Sequence, residues 1–513
     1  MPSESTPNNL ATAGQSFPRL TADEAAAMIP DGATVGFSGF TPAGAAKAVP
    51  RAFAARARAA AERGESLKMR VLTGASTGAA LDEALADAHA VSWRAPYQSS
   101  KALRKLINSQ ETEFIDMHLS HVPQSVAFGF LGNIDFAVVE AVDVTRDGRV
   151  YLSTSGGCSP TFLRHADKVI IEVNHHHAKR LAEMHDVAIL PLPPYRSPIP
   201  IQHPLSRIGT PFASVDPKKI IAVVETDEGD GIPPFTPPDD ASEAIAGHVV
   251  RFLIDEVKAG RIPPDFLPLQ SGVGNVANAV MAGLGMAEDV PPFYMYSEVF
   301  QDALVDLMEN GALRGASCTS LTLSDAYLQR LYENMDFFAP RIVLRPQELS
   351  NNPGVIRRLG VIAINTALEV DIYGHANSTH VCGNTLMNGV GGSGDFMRNA
   401  YLSIFVAPSV AKAGAISTIV PMCTHVDHNE HTVQIVVTDE GLADLRGLGP
   451  IQRARTIIDH CAHPDYRDYL HRYVEQSPMG HLRHNLETCF DLHRNFLATG
   501  HMLGKAEAPL RDK

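Results

Sequence analysis

The segment QSGVGNVANAV at 270–280 joins a glycine turn to the start of an apolar helix. Gly272, Gly274 and Ala277 fit the pattern GxGxxA, and Val276, Val280 and Leu284 give the helix its apolar side. Glycines here permit a tight turn and let a ligand approach backbone N–H groups. A helix N-terminus favours an anion or a developing oxyanion. The next strand reading, PFYMYSE, ends at Glu298. Three chemistries fit this unit. Ser297 caps the following helix and Glu298 complements its dipole. Alternatively, Glu298 binds a ribose hydroxyl of a dinucleotide, since it lies 298 − 274 = 24 residues after Gly274, close to the ~20 of such sites. In the third, Glu298 is a nucleophile, kept ionised by the helix N-terminus. The pattern alone does not separate the last two.

Three further constellations carry potential chemistry. Gly74-Ala75-Ser76-Thr77-Gly78 matches GxSxG between a strand and a helix, the setting of a nucleophile elbow, or else a turn of small residues. CTHVDHNEH at 423–431 offers Cys423, His425, Asp427, His428 and His431, all of types that ligate zinc, or else a polar loop after a strand. The run His175-His176-His177 reads as a polar loop. GNTLMNGVGGSGDFMRNA at 383–400 has glycines at 383, 389, 391, 392 and 394, which can present N–H donors to oxygen anions. Lys412 follows the next strand and could meet a phosphate, or be a solvated surface lysine. No GxxxxGK[ST] occurs, which argues against an NTPase.

These segments need a scaffold of strands and helices. Strand readings in the first half are 34–40, 69–74, 136–142, 149–155, 168–174, 187–191 and 219–225. Several are nearly continuous apolar runs, as in strands buried on both faces, and helical stretches lie between some of them. This alternation predicts an α/β fold. TDEGDGIPPFTPPDD at 226–240 is the clearest linker, and SEAIAGHVVRFLIDEVKAG then opens a new helix. The expected division is therefore 1–230 and 231–513. Strand readings in the second half are 266–270, 292–299, 360–370, 402–408, 415–421 and 432–439, with a helical segment beyond 450.

The 513 residues carry 43 Lys+Arg against 57 Asp+Glu, a net charge of −14. That balance argues against a nucleic-acid binder. A hydrophobic content of 45% with 19% charged residues excludes a largely disordered chain. No run approaches 18 apolar residues, so no transmembrane helix is expected. Six scattered cysteines without CxxC, and an N-terminus without an apolar core, suggest a cytoplasmic protein with reduced thiols.

Taken together, the strings VGFSGFTPAGAAKAVP (35–50), ADKVIIEVNHH (166–176), SGVGNVANAV (271–280), YSEVFQD (296–302), GHANSTHVCGNTLMNGVGGSGDF (374–396) and THVDHNEHTVQIVVTDEGLADLRGL (424–448) resemble the acetyl-CoA hydrolase/transferase family, of the class I CoA-transferase type. The resemblance is nearest to its succinyl-CoA:acetate CoA-transferases and spans nearly the whole chain. It implies two related α/β domains in tandem, with the active site between them. It also implies that Glu298 is the nucleophile, and that Gln270, Ser271, Gly272, Val273, Gly274, Asn275, Asn388, Gly392 and Lys412 form the oxyanion and CoA segment. Arg398 is a weaker basic candidate. Asn351 and Asp439 match auxiliary positions, with Asp439 one methylene shorter than the Glu often found there. The 226–240 linker lacks an arginine that could face a substrate carboxylate. The implied substrates are coenzyme A thioesters and small carboxylic acids. No permanently bound cofactor and no metal are implied, and the expected assembly is a homodimer. The expected reaction passes through a glutamyl-CoA thioester in ping-pong fashion. Hydrolysis of acetyl-CoA by the same glutamate is the alternative, and a nicotinamide-dinucleotide enzyme is the alternative outside the family.

Overall fold

The computed structural model describes residues 17–234, 236–272 and 274–504. Two mostly parallel sheets dominate it. The first contains β1 (Thr34–Phe37), β2 (Met69–Leu72), β3 (Val91–Ala95), β4 (Glu113–Phe114), β5 (Phe136–Val144), β6 (Arg149–Leu152), β7 (Lys168–Asn174), β8 (Ala213–Ser214) and β9 (Ile220–Thr226). Its spatial order is β4-β3-β2-β1-β5-β6-β8, with β7 pairing β5 and β9. The long β5 explains the branch. Its first half lies between β1 and β7, while its end turns to pair β6 antiparallel. Every residue of β5 is buried. Phe136 and Val138 join one apolar layer, and Ala137, Val139 and Ala141 the opposite one. The two-residue period of a strand thus buries both faces.

The second sheet contains β10 (Leu269–Ser271), β11 (Phe293–Tyr296), β13 (Leu313–Cys318), β15 (Ile342–Leu344), β16 (Ile362–Thr366) and strands 402–406, 435–438 and 441–444. A separate short pair, β12 (Val299–Gln301) and β14 (Ser320–Thr322), lies beside it. The order β15-β13-β11-β10-β16 places the chain's departures from β10 and β16 on opposite sides. The carboxyl ends of these two neighbours therefore frame a switch-point crevice, the place where open α/β sheets bind ligands. Helices Pro450–Cys461, Pro464–Gln476 and Asp491–Thr499 follow the sheet. Among the described residues no helix is long and apolar enough to cross a membrane.

Several expectations about elements differ from the structure; 360–370 divides into β16 and a strand at 369–371, and 415–421 into two-residue strands at 416–417 and 419–420. VAILP at 187–191 is not a strand. It makes a single bridge, Val187 to Thr210, before prolines 191, 193 and 194 remove the donors a ladder needs. Glu298 does not open a helix either. Strand β12 intervenes, and the helix starts at Asp302, so Ser297 is no cap.

The segment after β9 is pinned by charge. Asp230 accepts from Gly44 N (3.2 Å), Lys47 Nζ (3.0 Å) and Thr154 Oγ1 (2.6 Å). Lys47 Nζ also reaches Glu140 at 2.5 Å, and His177 Nε2 lies 3.4 Å from both carboxylates. The His175–His177 run is the polar turn read from the sequence; within it His175 and His176 are exposed and His177 is buried. Two carboxylates against one ammonium would leave a buried net charge. Those carboxylates hold the His177 imidazole protonated, raising its pKa to about 9.

Candidate active site

A cavity of about 470 Å³ lies between the carboxyl edges of the two sheets. From the first sheet come Phe40 and Thr41 after β1, Ala75 and Ser76 after β2, and Tyr97 after β3. From the second come Gly272, Gly274 and Asn275 after β10, Glu298 after β11, and Asn365 and Thr366 at the end of β16. Ile232, Pro233, Pro234 and Thr236 form another wall, and Asn388 to Ser393 a third. No lysine, arginine or histidine lines the cavity among the described residues.

Glu298 is placed by its backbone. Its carbonyl accepts from Thr319 N (2.8 Å) and Ser320 N (3.1 Å), which fixes the turn between β11 and β12. Its side chain accepts from Asn351 Nδ2 at 2.7 Å. Gly392 packs against the carboxylate: a Cβ built there would lie 1.8 Å from Oε1. Burial pushes the Glu298 pKa up to about 7, the Asn351 bond opposes this, and the nearby Asp395 charge adds to it. The expectation of a carboxylate ionised by a helix N-terminus is therefore corrected. No helix starts at Glu298, and its surroundings make it more basic.

The glycine loop is held by the first half of the chain. Asn388 Nδ2 donates to Tyr97 OH at 3.1 Å, and the Asp116 carboxylate accepts from Val390 N at 2.9 Å. Gly389 and Gly391 lie against the Tyr97 ring, where a Cβ would come within 2.9 and 3.3 Å of it. Gln98 Nε2 donates to Met387 O, and Asn108 exchanges two bonds with Leu386.

The residues expected from the sequence divide into three groups. Gly272, Gly274, Asn275, Glu298, Asn388 and Gly392 share the cavity, and Asn351 touches Glu298. Gln270 lies behind it, exchanging bonds with Asn365 (2.8 and 3.2 Å), while Ser271 is buried with its hydroxyl unpartnered. Val273 falls outside the described residues. Lys412 and Asp439 are not brought to the cavity. Lys412 is exposed, with Nζ 4.8 Å from the Phe496 ring centroid. Asp439 sits in the turn between strands 435–438 and 441–444 and accepts from Ser409 N and Oγ. Its short side chain is thereby spent on a loop contact. Arg398 opens onto a different cleft, beside Arg357 and His431. Tyr97, Asp116, Ser120 and Asp395 were missed, because each acts across a separation that no local pattern reports.

The other constellations resolve as follows. Ser76 lines the cavity, but among the described residues no histidine bonds it, so no nucleophile–base pair is formed. In the 423–431 loop, Asp427 accepts from Ser378 N and Thr379 Oγ1, and His428 Nε2 meets Ser393 Oγ at 3.1 Å. These bonds make a polar loop. Among the described residues, the grouping with metal-ligand spacing is Glu140, His177 and Asp230, where Lys47 and the protonated His177 already balance the two carboxylates.

Comparison with known proteins agrees with this architecture. Residues 11–225 match the family model "Acetyl-CoA hydrolase/transferase N-terminal domain", and residues 328–474 match the corresponding C-terminal domain. The chain is 59% identical over 486 residues to the propanoyl-CoA:succinate CoA transferase of Escherichia coli, covering 95% of this chain and 99% of that one. It is 46% identical to the succinyl-CoA:acetate CoA-transferase of Clostridium kluyveri (94% and 90% covered) and 44% identical to the acetyl-CoA hydrolase of Saccharomyces cerevisiae (93% and 94%). Among solved structures, RipA from Yersinia pestis shares the fold with a TM-score of 0.69 at 23% identity, covering 90% of this chain and 97% of that one. The 4-hydroxybutyrate CoA-transferase from Porphyromonas gingivalis does so at 0.59 and 22%, covering 90% and 97%. The chain belongs to the acetyl-CoA hydrolase/transferase family and is an enzyme of the CoA-transferase type.

Proposed function

We propose that the protein moves coenzyme A between an acyl-CoA and a small carboxylate, with succinyl-CoA, acetyl-CoA or propanoyl-CoA as the donor class. The observation that carries this reading is the Glu298 carboxylate, held by Asn351 against Gly392 in a cavity without a lining histidine, lysine or arginine. A carboxyl group with a pKa of about 7 is substantially ionised at neutral pH without a neighbouring base to deprotonate it.

Glu298 attacks the thioester carbonyl, the C–S bond breaks, and CoA thiolate leaves an acyl-glutamyl anhydride. The thiolate then attacks the glutamyl carbonyl. This releases the free carboxylate and leaves a glutamyl-CoA thioester. The acceptor acid reverses both steps, so the kinetics are ping-pong and the thioester energy is conserved. Each step passes through an oxyanion, for which Asn351 Nδ2 and the N–H groups at Gly274 and Gly392 are the proposed donors. CoA is expected along the 272–275 and 388–392 segments, with Lys412 and Asp439 outside the reacting centre. Hydrolysis is the second reading, favoured by the similarity to yeast acetyl-CoA hydrolases. It differs only in whether water or an acid reaches the same intermediate. A cytoplasmic homodimer without a permanent cofactor is part of the proposal.

The test is intact protein mass after mixing with acetyl-CoA, on wild type and on Glu298→Gln. A CoA-sized addition on wild type alone, cleared by succinate or acetate, supports transfer. Clearance by water at a comparable rate moves the assignment to hydrolase, and no addition on either protein overturns the glutamate mechanism.

A further inference from the structure

Asp395 has no part in the chemistry above, yet it is buried beside it, 3% exposed in helix Ser393–Met397. Its Oδ1 accepts from Ser120 Oγ at 2.5 Å and its Oδ2 from Ser120 N at 3.0 Å. Ser120 belongs to the first half of the chain, 275 residues away. The same Oδ2 lies 3.4 Å from Asn351 Nδ2, the nitrogen that donates to Glu298. On its other side, Asn351 Oδ1 accepts from Ser350 Oγ at 2.8 Å. One amide nitrogen thus stands between two carboxylates. A flipped amide would present its oxygen to both of them, which is unfavourable wherever either is ionised.

The pair is asymmetric. Three donors face Asp395 and one side-chain donor faces Glu298. Two carboxylates this close do not share ionisation equally. Burial raises the pKa of both carboxyls, but the extra donors on Asp395 favour its charged form, so the pair's single proton falls to the carboxylate with fewer donors. The carboxylate forced up in this way is Glu298.

We propose that Asp395 is a positioning residue for the acyl-transfer step. It locks the Asn351 amide with its N–H toward Glu298 and sets a second carboxylate beside the nucleophile, tuning its reactivity. Ser120 fixes Asp395, so the first half of the chain takes part in setting the reactivity of a residue in the second. The assignment rests on Glu298 being the nucleophile. The other titratable groups around the pair are Tyr97 after β3, His118 (whose ring packs on Gly394), Asp116 beyond it, and Asp302, whose carboxylate is turned to Ser324. Of these, His118 acts on Asp395 directly, its charge favouring the ionised carboxylate as the Ser120 bonds do.

The experiment measures the rate of CoA-adduct formation from acetyl-CoA between pH 5 and 9 for wild type, Asp395→Asn, Asp395→Glu, Ser120→Ala and Glu298→Gln. Wild type is expected to rise through a midpoint near 7. Asp395→Asn should fall about 10–100-fold at the plateau and shift the midpoint down by about one unit, with KM for acetyl-CoA changed by less than about threefold. Asp395→Glu should recover part of the midpoint shift, and Ser120→Ala should change in the direction of Asp395→Asn by a smaller factor. An Asp395→Asn protein of lower thermal stability but unaltered midpoint and plateau overturns the proposal. If Asp395→Asn does not fold, an unshifted Ser120→Ala profile overturns it equally. Adduct formation by Glu298→Gln would instead overturn the nucleophile assignment, independently of what Asp395 variants do.

Discussion

Gly392 and Glu298 are in contact so close that no side chain fits between them. A methyl group on Gly392 would sit 1.8 Å from Oε1 and 2.1 Å from the carboxyl carbon. The backbone of Gly392, at φ −83°, is open to any residue, so glycine is required here by space and not by conformation.

Gly392→Ala should therefore fold almost normally and react poorly. Displacing the carboxylate by about 1 Å is expected to cost roughly 10²-fold in turnover. Steady-state rates and a melting curve on the same sample check this. A variant with wild-type turnover would show that Glu298 does not react from this position.

Asn351→Ala removes the side-chain donor to Glu298. With that bond gone, burial and the Asp395 charge act unopposed, so the Glu298 pKa rises further. Adduct formation at pH 7 is expected to fall about 10²–10³-fold, and part of the loss should return at pH 9. A pH-independent loss would assign Asn351 to the oxyanion alone.

Ser76→Ala should retain activity. Ser76 lines the cavity without a base to activate it, so its removal costs at most one hydrogen bond to a ligand, about fivefold in kcat/KM. Loss of the covalent adduct in this variant would revive the nucleophile-elbow reading.

His177 makes stability depend on alkaline pH. Its folded pKa of about 9 exceeds the ordinary 6.5, so the protonated ring stabilises the fold. That contribution is complete below pH 6.5 and disappears as pH rises through about 9. It amounts to about 1–3 kcal/mol. His177→Gln should melt lower than wild type at pH 6.5, and the two melting curves should converge by about pH 10. Parallel curves across that range would mean the ring is neutral in the fold.

Much of the scaffold was readable because its strands are buried on both faces. FAVVEAV and KVIIEVN announce β5 and β7 by composition, and the glycine turn at 272–274 marks the switch point. Glu298 was readable as a candidate because an acid at a strand's carboxyl end has few structural reasons to be there. Its electrostatic state was not, since that depends on Asp395 and Asn351, 97 and 53 residues away in the chain. The same limit hid Tyr97 and Ser120, which look ordinary in APYQSS and LSH and matter through contacts nearly 300 residues distant. The loop at His175–His177 was readable, but not the burial of His177, since His175 and His176, its neighbours, do face solvent.

The pinned Asp230 has a consequence for how the polypeptide is joined. Between Asp230 and the helix cap at Asp239, no described residue makes a hydrogen bond, whereas the halves are tied elsewhere by Ser120 to Asp395, Leu119 to Gln347, Gly157 to Thr319 and Asp186 to Arg345. Peptide continuity through IPPFTPP is then a matter of stoichiometry and assembly rate, not of cohesion. A protein cut once in that stretch should stay together as a two-fragment enzyme, and two separately expressed fragments should find each other and rebuild the same cavity.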